Sequence, residues 1–532
     1  MNPNTLIEAL EMAWNRWPER SALVFCGSKM TYAQLGKAIT TLASAYRRLG
    51  VGRGDRVVCQ LPNGPEHIVA AGAAWACAAI HVGAAQRLTG PELSEFIGLT
   101  GAKILLYAPV DESPDPFMPL RVVQKSHPDT SIIVAGDQSF PEDYLTLSEL
   151  RNSSKDTESH EHLSLDRPSP QDPAAIFTTS GTTGRPKTPL GNHNKLCQSW
   201  SRLAEELEFG SDDVHLAHLP LAHGFGLMLA TAALINGGRL ILLDRFSAEE
   251  VLQVVEIERV TVLNGSAAHF KLLISCPDRE RHDIRSLRIG VGSGASFSPS
   301  LIRSIFDDLE MEFMLMYGSS EGVGVVTTNR EDMLKGSVGR PAPGSVAIVG
   351  PDHRPLPSGE VGEIAFSCKV FPVRYWGGPG IGSTAGAMRE ETEGRRGWYY
   401  SGDLGRLDDE GRLYVFGRLK HQINRGGLKI DPVEVEGALL RCPEVSDAAV
   451  IGVPNPILGE TICACVVPMP EQVPSLEQLR SVLSSELAPY KLPEELCILD
   501  HIPRTRLGKV DLEGLRASVM ATTRQHVRNS RT

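Results

Sequence analysis

The sequence lacks most features of secreted, membrane-bound or nucleic-acid-binding proteins. Its 53 Lys and Arg residues against 64 Asp and Glu residues give a net charge of −11, which argues against a general attraction to nucleic acid or anionic membranes. The 10 cysteines contain no CxxC pair, as is typical of reduced, cytosolic thiols. The first residues lack a basic region followed by an apolar run, so we expect no signal peptide and a cytoplasmic protein.

Only one apolar run approaches the length of a membrane span, from Ile68 to Ala85. It consists mostly of Ala and Gly, which favour membrane insertion only weakly, and it contains His81. We therefore predict a helix that packs inside a sheet protein, and no transmembrane segment.

Glycine and proline are abundant, because 51 Gly and 36 Pro make up about a sixth of the 532 residues. The usual share is about 12%, so the chain is rich in loops. Between these loops, short aliphatic runs alternate with stretches long enough for a helix. The strand-length runs are 55–61, 102–107, 131–135, 239–243, 260–264 and 287–291. This alternation predicts an α/β fold that binds ligands at the carboxyl ends of its strands.

The pattern changes in the last third of the chain, where short strands with Gly turns replace the alternation. The elements predicted for the last unit are strands at 447–453 and 461–467 and a helix at 475–487. We predict an N-terminal body of α/β sheets with a small β-barrel-like subdomain over residues 1–419. A small, mobile α+β C-terminal domain is predicted over residues 420–532.

The densest motif is a loop rich in glycine and hydroxyl groups that follows the apolar lead-in AlaAlaIlePhe. Backbone N–H groups and hydroxyls in such a loop can wrap a polyphosphate, and a lysine can supply positive charge. The residues that we assign to nucleotide binding in this loop are Thr179, Ser180, Gly181, Thr182, Thr183, Gly184 and Lys187. A Walker A loop would need Gly immediately before Lys187, where Pro186 stands, which argues against a P-loop NTPase.

Two later loops also follow apolar strands. The glycines of residues 289–295 favour a close approach of backbone to ligand. Residues 318–322 match the GxSxG pattern of serine hydrolases, which keeps a hydrolase with Ser320 as nucleophile as a distant alternative. That motif requires a helix after the serine, whereas the residues that follow are strand-like. Alternatively, Glu321 holds Mg²⁺ beside a triphosphate and Tyr317 presents its ring to a base.

In their order along the chain, these motifs resemble those of the adenylate-forming superfamily, which includes acyl-CoA synthetases, peptide-synthetase adenylation domains and luciferases. The resemblance covers essentially the whole chain. Its motifs are TTSGTTGRPK at 178–187, YGSSEG at 317–322, GWYYSGD at 397–403, the hinge and glycine loop at 417–427, and PRTRLGK at 503–509. It implies that ATP and Mg²⁺ activate a carboxylic acid to an acyl-adenylate, which then reacts with coenzyme A.

The resemblance also implies a role for individual residues. Lys509 and His223 are the predicted catalytic residues: Lys509 bridges the carboxylate and the α-phosphate, and His223 gates the acyl pocket. The other predicted nucleotide contacts are Gly294, Ala295, Tyr317, Gly318, Ser319, Ser320, Asp403 and Arg418, with Glu321 as the metal ligand. Phe225, Asn264 and Gly292 are predicted to line the acyl pocket with His223. Lys420 is the predicted hinge, and Arg425, Gly426 and Gly427 the predicted thiol channel.

The chemistry accounts for these residue types, because a carboxylate and a phosphate repel each other unless fixed positive charge and Mg²⁺ offset the repulsion. Residues 222–226 contain no acid to pair with a substrate ammonium, so a fatty, aryl or other acid without an amino group is favoured. A carrier-protein phosphopantetheine is the alternative acceptor to coenzyme A. Thr188 and Pro189 depart from the family pattern after the phosphate loop. A homodimer is left open.

Overall fold

The structure is a computed structural model, and it describes residues 3–86, 88–109, 115–136, 144–152, 167–177, 188–368, 374–376, 397–425, 428–455, 457–505 and 508–519. Within these ranges the strands form four sheets, and helices cover the two larger ones. The predicted α/β class is confirmed.

The largest sheet carries many of the predicted site residues. Its strands are β1 (Ser21–Phe25), β2 (Ser28–Thr31), β10 (Val214–Ala217), β11 (Arg239–Leu242), β12 (Val262–Gly265), β13 (Ile289–Gly292), β14 (Glu312–Ser319) and β15 (Val323–Thr327). Their order is β15-β14-β13-β12-β10-β11-β1-β2, and the pairs from β14 to β1 are parallel. Because β12, β13 and β14 are parallel neighbours, the loops after all three meet at one edge.

The second sheet holds the strands between residues 56 and 192. They are β3 (Arg56–Gln60), β4 (Ile80–Gly83), β5 (Ile104–Tyr107), β6 (Ser131–Val134), β7 (Leu145–Thr146), β8 (Pro173–Ile176) and β9 (Leu190–Asn192). Their order is β7-β6-β5-β3-β4-β8-β9. Among the described strands of this sheet, β8 and β9 form an antiparallel pair and all other neighbouring pairs are parallel. The predicted phosphate loop joins β8 to β9.

Helices pack on and between these two sheets. They are α1 (Leu6–Arg16), α2 (Tyr32–Arg48), α3 (Pro65–Ala76), α4 (Gly90–Thr100), α5 (Met118–Ser126), α6 (Leu147–Asn152), α7 (His193–Glu206), α8 (Gly224–Ile235), α9 (Ala248–Glu258), α10 (Ala267–Ile274), α11 (Pro299–Asp308) and α12 (Arg330–Leu334). One apolar cluster joins residues of α1, α2, α3, α7 and α8 to residues of both sheets, so these helices form the central layer of the body.

The prediction of one helix over Ile68–Ala85 is wrong in its second half. Helix α3 ends at Ala76, and β4 begins at Ile80. Ala78 has a φ of +54°, which breaks the helix, and the following Ile-His-Val favours a strand. No helix of the described ranges is both long and apolar enough to cross a membrane.

Two smaller sheets follow. The antiparallel strands β16 (Val346–Val349), β17 (Gly362–Ser367), β18 (Trp398–Leu407) and β19 (Leu413–Arg418) account for the predicted small β subdomain. The last sheet contains β20 (Ile423–Arg425), β21 (Leu428–Ile430), β22 (Val445–Asn455), β23 (Gly459–Pro468) and β24 (Glu495–Ile498), with helices α13 (Pro432–Leu439) and α14 (Leu476–Leu483). The domain boundary between residues 419 and 420 stays a prediction.

Gly83 lies where the end of β4 meets the loop before α8. A Cβ atom on Gly83 would lie 2.2 Å from the carbonyl oxygen of Ala222, and a backbone atom cannot rotate away. We expect Gly83→Ala to destabilise the body by about 1–3 kcal/mol, measured as a lower Tm in thermal unfolding. Gly52→Ala is the matched control, because no heavy atom lies within 4 Å of its Cβ position. Equal Tm values for the two variants would contradict this contact.

Candidate active site

The predicted site residues converge on the edge where β12, β13 and β14 end. Ser266 follows β12, Gly294 follows β13, and Glu321 lies in the turn after β14. The catalytic lysine predicted from the sequence, Lys509, reaches the same edge from the end of the chain. The site is therefore built by loops of one sheet together with a residue from the C-terminal unit.

Asp403 is held between two donors. The hydroxyl of Tyr317 donates to Asp403 Oδ2 at 2.8 Å, and Arg418 Nε lies 2.9 Å from Asp403 Oδ1. Burial raises the pKa of Asp403 above its ordinary value, although Arg418, Tyr317 and Lys509 oppose this rise. Burial and the charge of Asp403 also raise the pKa of Tyr317, so this phenol stays a hydrogen-bond donor.

The backbone around Gly508 directs Lys509 into the cleft. Gly508 has a φ of +74°, and a Cβ atom there would lie 2.2 Å from Ser266 Oγ. Lys509 Cε lies 3.8 Å from the position that a Cβ on Gly294 would take. The side chain remains exposed, yet the surrounding protein and Arg418 lower its pKa, and Asp403 opposes that shift. The cation thus lies near Gly294, Asp403 and Arg418, three of the predicted nucleotide contacts.

His223 lies beside this lysine at the start of α8. Its Nδ1 accepts a hydrogen bond from the backbone N–H of Phe225 at 3.2 Å. Burial, followed by the charge of Lys509, lowers the pKa of His223 to about 4, so the imidazole is neutral near pH 7. Because Nδ1 accepts, the proton of the neutral ring is assigned to Nε2. His223 can therefore donate a hydrogen bond without adding a second positive charge beside Lys509.

Glu321 lies in a buried polar turn and is only 8% exposed. Its Oε1 accepts a hydrogen bond from the hydroxyl of Tyr375 at 3.0 Å, and its backbone carbonyl accepts one from Lys195 Nζ at 3.1 Å. Burial, followed by the charge of Arg374, lowers the pKa of Lys195 to about 8. Sequence analysis missed Lys195 and Tyr375, because neither lies in a motif and their contacts with Glu321 are distant in sequence.

The donor set around Glu321 fits a magnesium ion. No group of three or more His, Cys, Asp and Glu side chains in the described part of the chain is arranged to hold a metal. Mg²⁺ does not need such a cage, because one or two carboxylates together with substrate phosphates suffice for it. The single buried carboxylate of Glu321 is of that kind.

The predicted phosphate loop itself lies outside the described residues, so Thr179, Ser180, Gly181, Thr182, Thr183, Gly184 and Lys187 stay predictions. Its two ends are described. Phe177 N donates to Pro189 O at 2.9 Å, and Thr188 Oγ1 donates to Trp376 O at 2.7 Å. The departure at Thr188 from the family pattern therefore adds a bond that ties the loop exit to the segment carrying Tyr375.

Two residues predicted to line the acyl pocket have structural partners of their own. A Cβ on Gly292 would lie 2.3 Å from Phe313 Cζ, so ring packing below the strand already requires this glycine. Asn264 Nδ2 donates to Leu216 O at 2.6 Å, and Asn264 lines a cavity of about 10 Å³ under α8. Phe225 is half-buried against the central apolar cluster.

The remaining predicted nucleotide contacts lie at the same edge. Gly318 and Ser319 end β14, Ser320 is half-buried in the turn after it, and Ala295 follows Gly294. The predicted hinge and thiol channel are described only in part. Lys420 lies in a short 3₁₀ helix, Leu419–His421, directly after β19, but its side chain is outside the described residues, as are Gly426 and Gly427. Arg425 Nε pairs with Glu494 Oε1 at 2.5 Å within the C-terminal unit.

Comparison with known proteins matches both parts of the chain. Residues 10–371 match the family described as AMP-binding enzyme, and residues 434–509 match the AMP-binding enzyme C-terminal domain. A feruloyl-CoA synthase of an Amycolatopsis species is 32% identical over 93% of this chain and 94% of that protein. The long-chain-fatty-acid–CoA ligase FadD13 of Mycobacterium tuberculosis is 30% identical over 93% of this chain and 94% of FadD13. The crystal structure of ATP-bound MatB from Rhodopseudomonas palustris is similar with a TM-score of 0.82 at 25% identity, over 97% of this chain and 99% of MatB.

Gly508→Ala tests whether this backbone conformation places Lys509. The new Cβ would be strained at positive φ and would crowd Ser266 Oγ and Ala268 Cβ, so Lys509 should be displaced from Gly294. We expect acid-dependent exchange of labelled pyrophosphate into ATP to fall about tenfold or more, which corresponds to about 1.4 kcal/mol of lost positioning.

Gly437→Ala is the control in the same unit, because the nearest atom to its Cβ position is 3.8 Å away. This control should exchange at the wild-type rate. Wild-type exchange by Gly508→Ala would contradict the role of the glycine.

Proposed function

The chain belongs to the AMP-binding enzyme family, and from that premise we propose that it joins a compact aromatic acid without an amino group to coenzyme A. It activates the acid with ATP to an acyl-adenylate and transfers the acyl group to the thiol of coenzyme A, releasing AMP. The observation that carries the proposal is the position of Lys509, beside His223 and Gly294 and coupled to Asp403.

The charge distribution suits the first half-reaction. A carboxylate and the α-phosphate of ATP are both anionic, so the transition state needs cations that are already in place. Lys509 and Arg418 supply two such charges within one network, and Asp403 offsets part of their mutual repulsion. Neutral His223 adds a donor to this cluster without a third cation. Mg²⁺, which Glu321 would hold, would offset the charge of the departing pyrophosphate.

The size of the acid is inferred from the space under α8, the helix that His223 caps. The two relatives differ little in identity to this chain, yet one is named for an aromatic acid and the other for long-chain fatty acids. The cavity between α8 and strands β10 to β12 has a volume of about 10 Å³, which is the size of a single water molecule. A long acyl chain therefore has no room in this cavity beneath α8, and we take this to favour a compact acid.

The two alternatives receive less support. The sheet continues after Ser320 as β15, which pairs with β14 in a hairpin and leaves Ser319 opposite Val323. This is not the strand-to-helix turn that a hydrolase nucleophile needs. A carrier-protein acceptor is not favoured, since the two relatives described above are named as coenzyme A ligases or synthases. The cytoplasmic location and the homodimer stay predictions.

Exchange of labelled pyrophosphate into ATP, measured over a panel of acids, tests the proposed function. We expect exchange with compact aromatic acids, little with long-chain fatty acids, and none with amino acids. Lys509→Ala should lower the rate by about 10²–10³, as the loss of one preorganised electrostatic donor does. Absence of exchange with every acid, or normal exchange by Lys509→Ala, would contradict the proposed function or the role of Lys509 respectively.

The pH dependence of exchange should report the protonation state of Lys509. Its pKa lies below the ordinary value of 10.5 because the surrounding protein removes water from it and because Arg418 is near, so its charge is lost at lower pH than in a free lysine. Since the reaction needs the ammonium, the rate should fall as the pH rises through this lowered pKa. In Lys509→Arg the guanidinium stays charged, so the rate should be lower but lack this decline. The same decline in both proteins would assign it to another group.

A further inference from the structure

Helix α10 of the body contacts the C-terminal unit at two points. At its start, Ser266 lies against Gly508. About one turn further along, Lys271 Nζ donates to the backbone carbonyl of Ser446 at 2.5 Å and lies 3.7 Å from Asp447 Oδ1. Two separated contacts fix an orientation as well as a position, which one contact cannot do.

The contact at Lys271 continues to the catalytic lysine. Arg504 Nη2 donates to both carboxylate oxygens of Asp447, at 3.0 and 2.8 Å. Arg504 Nη1 donates to the carbonyl of Gly508 at 3.2 Å. A line of polar contacts therefore runs from the body through Asp447 and Arg504 to the peptide bond between Gly508 and Lys509.

The turn that carries Lys509 is itself closed by backbone bonds. Gly508 N donates to Thr505 O at 2.8 Å, and Thr505 N donates to Lys509 O at 2.7 Å. Arg504 is hydrogen-bonded to the Gly508 carbonyl of this closed turn. A shift of Arg504 therefore moves the turn as a unit. The position of Lys509 therefore depends on the position of Asp447 relative to α10.

We propose that Lys271, Asp447 and Arg504 are positioning residues that hold Lys509 in the cleft for formation of the acyl-adenylate. The proposal rests on the proposed function, because only that step brings two anions together around Lys509. Attack of a thiol on the finished acyl-adenylate has no such requirement and does not depend on this line of contacts.

The contacts are of a kind that affects position more than overall stability. The side chain of Lys271 is 45% exposed and that of Asp447 is 25% exposed, and ion pairs with this exposure contribute little to folding. Loss of Lys271 should therefore leave the Tm unchanged and act on the rate of one half-reaction.

The first test replaces Lys271 by methionine and measures the two half-reactions separately. Pyrophosphate exchange should fall about fivefold, the size expected for a partly exposed ion pair. Thioester formation from supplied acyl-adenylate and coenzyme A should stay at the wild-type rate. Lys271→Arg, which can donate to the same carbonyl, should recover most of the exchange rate.

Lys335→Met is the matched control. The Lys335 side chain is 44% exposed and pairs with Glu331 at 2.5 Å on the surface of the body. Among the described residues it makes no hydrogen bond or ion pair with the C-terminal unit. Exchange by this variant should equal that of the wild type. A fivefold loss in this control as well would attribute the effect to lost surface charge and overturn the proposal.

A double variant tests whether the residues act in one line. Asp447→Asn weakens the contacts to both Lys271 and Arg504, so exchange should fall about tenfold. If the two residues belong to one connection, adding Lys271→Met to Asp447→Asn should cause little further loss. Losses that multiply fully would show independent roles and overturn the proposal.

The remaining outcomes separate the proposal from the proposed function. Normal exchange by Lys271→Met, or equal losses in both half-reactions, would overturn the positioning role while the wild type still activates its acid. Absence of exchange by the wild type with every acid would overturn the proposed function, and the positioning role with it.

Discussion

The repulsion between a carboxylate and the α-phosphate of ATP is the constraint on which the arrangement of this molecule depends. Positive charge has to be held at one place before the substrates meet, since cations that must first be gathered stabilise a transition state less. In the proposed reaction, Lys509 and Arg418 provide that charge. Asp403 pairs with Arg418 and opposes the fall in the pKa of Lys509, while burial raises the pKa of Asp403 itself. The neutral state of His223 follows first from burial and then from the positive charge of Lys509 beside it.

The parallel sheet brings these groups together without long loops. Strands β12, β13 and β14 end side by side, so short loops after them bring residues distant in sequence to one edge. Two of the glycines that marked the sequence as rich in loops serve this edge directly. Gly508 allows the turn at positive φ that brings in Lys509, and Gly294, also at positive φ, lies next to the Lys509 side chain. Gly292 instead leaves room for the ring of Phe313. A sequence motif alone does not distinguish this packing role from ligand binding.

Sequence reasoning identified the segments that contain local motifs. It missed contacts between segments that are distant in sequence. The α/β class was predictable because apolar strand runs repeat, and the convergence of Tyr317, Asp403, Arg418 and Lys509 agrees with the order of their motifs. Lys195 has no neighbouring pattern that indicates its bond to Glu321, which only the packing of α7 beside the β14–β15 turn creates. The short strand β4 was missed because the Ala-rich run before it has a high helix propensity, which hides the break at Ala78.

The nature of the contacts between the two parts of the chain bears on the predicted mobility of the C-terminal domain. Among the described residues, every apolar cluster lies wholly before residue 420 or wholly after it. The described contacts at α10 are polar and partly exposed, so water can replace them at small cost when the parts separate. An apolar interface would instead expose its whole area on each separation. The predicted movement of Lys509 into the cleft for one half-reaction, and out of it for the next, is served better by contacts of the first kind.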